Sequence, residues 1–169
     1  MQYCKLRFYK SEKGDVNMIR IAVVPSYEPD EYLLLTVNQL IEKNIVVVVV
    51  DDGSGSAYRD YFTELPAQVH QVSYPVNKGK GNALKQGFLY IREHFAEESV
   101  VVTVDSDGQH EISDVLRILG MAEEFPETLV LGSRRLEKNA PIRSKLGNAI
   151  TRLVFCLATG DLCMTHKLV

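Results

Sequence analysis

Apolar positions along the chain follow two periods. Ile19–Val24 and Ile45–Val50 are continuous apolar runs, the second a string of valines after Ile45. Runs of this length suit strands buried on both faces, as in a parallel sheet. Gln68–Tyr74, Val100–Val104 and Leu129–Leu131 read as further strands. Between them the period lengthens to that of a helix. Over Asp30–Lys43, Leu33, Val37 and Leu40 share one face. Over Gly81–Phe95, Leu84, Phe88, Ile91 and Phe95 form one stripe. Ala57–Glu64, Ile112–Glu124 and Ile142–Ala158 read as helices too. Pro25 should close the first strand, and Asp51-Asp52-Gly53-Ser54-Gly55 breaks the second. Repeated βα units imply an α/β fold: a mostly parallel sheet, right-handed crossovers and helices on both faces.

Residues 1–17 lack a clear period, and Met18 directly precedes the first good strand. The expectation is an extension upstream of the natural start, dispensable for stability; a short surface strand or a disordered tail is the plainer alternative. The 169 residues fit one domain, and 46% apolar residues can fill a core. A net charge of −3 argues against a nucleic-acid binder, which usually carries a basic face. Cys4, Cys156 and Cys163 are odd in number and lack metal-ligand spacing, so they read as free thiols in a reducing compartment. No apolar stretch approaches the ~20 residues that span a bilayer. Lys5, Arg7, Lys10, Glu12, Lys13 and Asp15 interrupt any apolar N-terminal core. A cytoplasmic protein is expected.

Ligands of open α/β sheets bind beyond the carboxyl ends of the strands, near the switch in strand order. Three strand ends here carry unusual polar residues: Pro25-Ser26-Tyr27-Glu28-Pro29, Asp51-Asp52-Gly53-Ser54 and Asp105-Ser106-Asp107-Gly108-Gln109-His110. Gly108 lets the chain turn, so that Asp105 and Asp107 reach one point. Two carboxylates repel and favour a divalent cation between them, and Mg²⁺ or Mn²⁺ would complete its shell with substrate phosphates and water. A solvated turn with aspartate capping the next helix is the bland alternative. Asp51 and Asp52 form either a simple turn or an acceptor for a nucleobase or ribose. Tyr27 is a core aromatic or a ring stacked on a base.

Asn77-Lys78-Gly79-Lys80-Gly81-Asn82 opens a helix with cations and backbone N–H groups that suit an anion, although it is not a P-loop. Gly132-Ser133-Arg134-Arg135 follows a strand, where arginine can pair with phosphate. Arg143 and Lys145 serve the same anion or simply line a helix. Among the histidines only His110 lies near the proposed metal.

As an ordered set these motifs, with Val24-Pro25-Ser26-Tyr27, Gly87-Phe88 and Arg143-Ser144-Lys145-Leu146-Gly147-Asn148, resemble family 2 glycosyltransferases, in particular the polyprenyl-phosphate sugar transferases. The resemblance covers about residues 18–160. It implies a Rossmann-like GT-A fold and a nucleotide-diphosphate sugar donor. It implies that Pro25, Tyr27 and Asp52, with Glu28 and Asp51 beside them, hold the nucleoside, and that Lys80 belongs to the donor site. Asp105 and Asp107 would hold the metal and diphosphate, with Gln109 beside them. Arg134 and Arg143 would face phosphates. The implied reaction is an inverting, metal-assisted displacement onto a polyprenyl phosphate at the inner face of the membrane.

The sequence departs from that pattern at residues 161–169, an atypical tail where the family continues into an acceptor-side segment. The chain alone is therefore expected to transfer sugar poorly, and apolar surface near Leu153–Leu157 to favour self-association or membrane contact. A non-catalytic nucleotide-sugar-binding remnant is the alternative of another class. A nucleotidyltransferase would need a glycine-rich basic loop after the first strand, which Pro25–Pro29 lacks.

Overall fold

A computed structural model of the chain describes residues 4–5, 18–95, 98–125 and 129–132. The chain divides into two compact units, residues 11–124 and residues 1–10 with 125–169. In the second of these, β1 (Cys4–Lys5) pairs antiparallel with β6 (Val130–Leu131), Cys4 opposite Leu131. The segment expected as a fifth sheet strand is thus two residues long and pairs with β1, in a two-stranded sheet. The helix expected over Ile142–Ala158 and the tail at 161–169 lie outside the described residues.

The larger unit runs β2 (Ile19–Ser26), α1 (Tyr32–Glu42), β3 (Val46–Asp51), a 3₁₀ turn (Ser56–Tyr58), α2 (Arg59–Thr63), β4 (His70–Ser73), α3 (Lys80–His94), β5 (Ser99–Thr103) and α4 (Ile112–Glu124). Its four strands are all parallel, in the order β4-β3-β2-β5. The chain steps from β2 through β3 to β4 in one direction, then returns across the sheet to lay β5 on the other side of β2. With right-handed crossovers, opposite steps place helices on opposite faces. The packing follows. Ala22, Val24, Val47, Val49, Val100, Val102 and Val104 bury against α1, α2 and α4 through Leu33, Val37, Leu40, Phe62, Val115 and Leu119. Ile21, Val23, Val48 and Val50, one residue out of phase, face Ala83 and Ile91 of α3. Strands apolar on both faces, as their sequence reads, are what two helical layers require.

Three local differences from the sequence pattern have physical causes. β2 runs through Pro25 to Ser26. Val23 O accepts from Val104 N on the β5 side, while Ser26 O accepts from Asp52 N on the β3 side. Pro25, two residues past Val23, has its missing N–H on the β5 side, where the ladder has already ended at Thr103; no bond is lost. In α3 the buried positions are Ala83, Gly87 and Ile91, while Phe88 is 45% exposed. Small residues let the helix approach β2 and β3, and the bulkier Phe88 turns aside. A Cβ on Gly87 would lie 2.6 Å from Val23 Cγ1. At the end of α1, Asn44 takes φ 56°. Asn44 N bonds Ile41 O and Ile45 N bonds Leu40 O, a Schellman closure that delivers Ile45 straight into the core before β3.

Candidate active site

The carboxyl ends of β2, β3 and β5 and the first turn of α3 enclose a cleft of about 210 Å³. It lies where β3 and β5 diverge from β2, the switch point in strand order. Pro25, Ser26 and Tyr27 enter it from β2, Asp52 from β3, Lys80 and Ala83 from α3, and Asp105, Ser106 and Asp107 from the loop after β5. Segments far apart in sequence thus bring their polar groups to one edge, as the motifs anticipated.

Each segment is held by its own hydrogen bonds. Asp52 is 2% exposed. Its Oδ1 accepts from the Tyr74 hydroxyl at 2.6 Å and from Lys78 N at 2.8 Å. A buried carboxylate needs such donors. Burial, and then the bond to Asp52, push the Tyr74 phenol pKa above its ordinary value, so Tyr74 remains the donor. Gly53, at φ 72°, packs directly on the backbone of Val76 and Asn77, where a Cβ would meet Asn77 N at 2.4 Å. Asp51 Oδ1 accepts from Ser54 N, and Ser54 Oγ accepts from Glu28 N. Asp51 and Glu28 thus build the rim that positions Tyr27 and Asp52. Tyr27 is 48% exposed. The Glu28 carboxylate beside its phenol raises its pKa above the ordinary value.

The aspartate loop turns at Gly108, φ 70°, where a Cβ would lie 2.9 Å from the Tyr32 ring. Asp107 Oδ1 accepts from Gln109 N at 3.0 Å, and Asp105 N donates to His110 Nδ1 at 3.1 Å. The latter bond requires the imidazole proton on Nε2. Lys80 Nζ lies 2.6 Å from Asp105 Oδ1, joining α3 to the loop after β5. No group of three or more His, Cys, Asp or Glu side chains with metal-binding geometry occurs among the described residues. Asp105 and Asp107 both line the cleft, so the two carboxylates could hold a Mg²⁺ or Mn²⁺ ion only if phosphate and water filled the rest of its shell. Arg134 and Arg143 lie outside the described residues.

Sequence reasoning missed Ser26. It is 2% exposed and lines the cleft, and its Oγ has no hydrogen-bond partner. Buried hydroxyls are rarely left unpaired, so this one keeps hydrogen-bonding capacity at the cleft wall. The available signal was its position between Pro25 and Tyr27. Tyr74 and His110 also escaped as supports for Asp52 and Asp105, because nothing in sequence separation of this kind reports a contact.

No helix among the described residues is long and apolar enough to cross a membrane. The sequence matches the family model described as glycosyl transferase family 2 over residues 21–161. It is 27% identical over 146 residues to a UDP-N-acetylglucosamine–dolichyl-phosphate N-acetylglucosaminyltransferase of Methanococcus voltae, covering 75% of this chain and 57% of that protein. It is 28% identical over 162 residues to the polyprenol monophosphomannose synthase of Mycolicibacterium smegmatis, covering 87% and 60%. A dolichyl-phosphate beta-glucosyltransferase of Saccharomyces cerevisiae is 28% identical over 122 residues, covering 63% and 35%. The chain therefore spans about three fifths or less of the length of these curated relatives. With a parallel sheet sandwiched by helices in keeping with a Rossmann-like GT-A fold, and a family match over most of its length, the chain belongs to glycosyl transferase family 2.

Proposed function

We propose that this chain binds a nucleotide-diphosphate sugar in the cleft and serves transfer of the sugar to a polyprenyl phosphate; the names of two relatives carry dolichyl phosphate, and one of these also carries UDP-N-acetylglucosamine. The observation that carries the reading is the meeting of Ser26, Tyr27, Asp52, Lys80, Asp105 and Asp107 in one cleft at the sheet's switch point. The exposed Tyr27 ring offers a stacking surface for a base. The orphaned Ser26 hydroxyl supplies an unused hydrogen-bonding group beside it. Asp52, fixed by Tyr74 and Lys78, anchors the nucleoside side. Lys80 and the first turn of α3 favour an anion. Asp105 and Asp107 would hold a Mg²⁺ or Mn²⁺ ion with the diphosphate, Gln109 lying beside them. Such an ion would neutralise charge on the diphosphate as it leaves.

In the reaction, an acceptor phosphate oxygen bonds to the sugar C1 from the side opposite the leaving group, as the C1–O bond to the diphosphate breaks. The configuration at C1 inverts. A phosphate monoester is already ionised near pH 7, with its second pKa at about 6, so no residue need remove a proton. Arg134 and Arg143 are assigned to phosphates of donor or acceptor. The test is a transfer assay with radiolabelled nucleotide sugars and polyprenyl phosphate. Label should enter the lipid phase, slowly for this chain alone, and Asp107→Asn should reduce that rate further, by up to about a hundredfold, the scale on which lost transition-state charge stabilisation acts. Unchanged transfer by that variant would contradict the assignment.

A further inference from the structure

We infer that Lys80 is a placeholder cation at Asp105, so that divalent metal and donor diphosphate bind this chain interdependently. The inference rests on the donor-site reading above and adds a coupling to it. Lys80 is the one cationic side chain among the described residues that line the cleft, and it shares that lining with Asp52, Asp105 and Asp107. Its Nζ sits 2.6 Å from Asp105 Oδ1, on the carboxylate assigned to the metal. Its place in the sequence runs against local preference. Lys80 is the first residue of the 15-residue helix α3, where the helix dipole disfavours a positive charge, and the first turn holds no acidic residue. A choice that violates a local rule at a ligand cleft points to a role in that cleft.

The magnitudes suit an exchange. The Lys80 and Asp105 side chains are 59% and 34% exposed. An ion pair this accessible to water is worth no more than about fivefold in an equilibrium. It balances the carboxylates before a ligand arrives, yet gives way readily. The ammonium is a point charge on a flexible four-carbon stem and can turn from carboxylate to phosphate. A divalent ion arriving alone must displace Lys80 and then sit beside an unpaired ammonium. A diphosphate arriving alone meets carboxylates that one lysine only partly neutralises, and that lysine is already engaged. Arriving together, the phosphate takes Lys80 and frees Asp105. Each ligand therefore raises the affinity of the other by the same factor.

The test is a Mn²⁺ titration read by electron paramagnetic resonance on wild type, Lys80→Met, Lys80→Gln and Lys80→Arg, each without nucleotide and with UDP or GDP, after subtracting Mn²⁺ bound by free nucleotide. Thermal midpoints confirm folding. Without nucleotide, Lys80→Met and Lys80→Gln should bind Mn²⁺ about two- to fivefold more tightly than wild type, the strength of the pair they remove. The gain in Mn²⁺ affinity caused by nucleotide should shrink in both. Lys80→Arg, which keeps the charge, should behave as wild type. A merely structural role would weaken Mn²⁺ binding. Equal or weaker Mn²⁺ binding in both neutral variants, in a wild type that does bind Mn²⁺ and nucleotide, overturns the exchange and leaves the donor site standing. Absence of Mn²⁺ and nucleotide binding in wild type overturns the donor-site reading and the exchange with it.

Discussion

Ser26 and Tyr74 both adjoin Asp52, Ser26 through its backbone carbonyl and Tyr74 through its hydroxyl, but should respond to mutation in opposite ways. Tyr74→Phe removes a 2.6 Å bond from the buried Asp52 carboxylate and leaves Lys78 N as the donor seen there. Stripping a partner from a buried charged group costs about 1–3 kcal/mol. For a chain of this size the thermal midpoint should fall by roughly 2–10 °C. Ser26→Ala removes a hydroxyl that has no partner. Its midpoint should stay level or rise, and a fall of several degrees would show that the hydroxyl is bonded within the protein. The Tyr74 contribution also has a definite pH dependence. Its folded pKa is raised, so the stability it confers is full below the ordinary tyrosine value of 10.0 and is lost as pH rises through the folded value. Wild type should thus lose part of its stability in the alkaline range, and Tyr74→Phe should lose less.

Among the elements, α3 carries the sharpest constraint. It lies flat on β2 and β3 because Ala83 and Gly87 present little bulk, and it thereby fixes where Lys80 enters the cleft. Gly87→Ala would gain about 1 kcal/mol of helix propensity. It would also place a methyl 2.6 Å from Val23 Cγ1 and 3.3 Å from Val50 Cγ2, both fully buried and stiff at χ1. Overpacking costs about 1–3 kcal/mol. The variant should melt at a lower temperature, and a higher midpoint would mean that α3 does not pack this closely. At the other end of β2, Arg20 grips Glu123 of α4 through two bonds of 2.6 and 2.8 Å. The Arg20 bond holds the Glu123 pKa below its ordinary value. That stability is present above the unfolded glutamate pKa and lost as pH falls through the folded one. Glu123→Gln should cost about 0.5–1 kcal/mol near neutral pH, less in high salt, and nothing further in acid.

At the scale of the whole molecule, the four-stranded sheet and its α-helices were legible because the valine-rich runs and the Leu33–Val37–Leu40 face carry strong periods. The orientation of α3 was not: Phe88 outweighs Gly87 in any hydrophobic pattern, while close packing favours the residue with no side chain. Pro25 misled for a similar reason, since its missing N–H matters only if a neighbour lies opposite, and β5 stops short of it. The cleft was legible as three polar strand ends. Its internal contacts, Lys80 with Asp105, Tyr74 with Asp52 and the orphaned Ser26, were not, because they join residues whose nearness exists only once the strands are ordered β4-β3-β2-β5. The two-residue β1 was offered only as an alternative, and its partner β6 is 125 positions away by the Lys5–Val130 pairing.

The central claim is that this switch-point cleft is a metal-dependent site for a nucleotide diphosphate. Calorimetric titration of the full chain with UDP and with GDP, in Mn²⁺ and in chelator, on wild type and Asp107→Asn, tests it most directly. The account predicts binding of at least one nucleotide in Mn²⁺, a loss of about tenfold or more in chelator, and a response to Mn²⁺ largely abolished in Asp107→Asn. Equal affinity with and without the metal, or a full Mn²⁺ response in Asp107→Asn, would contradict it.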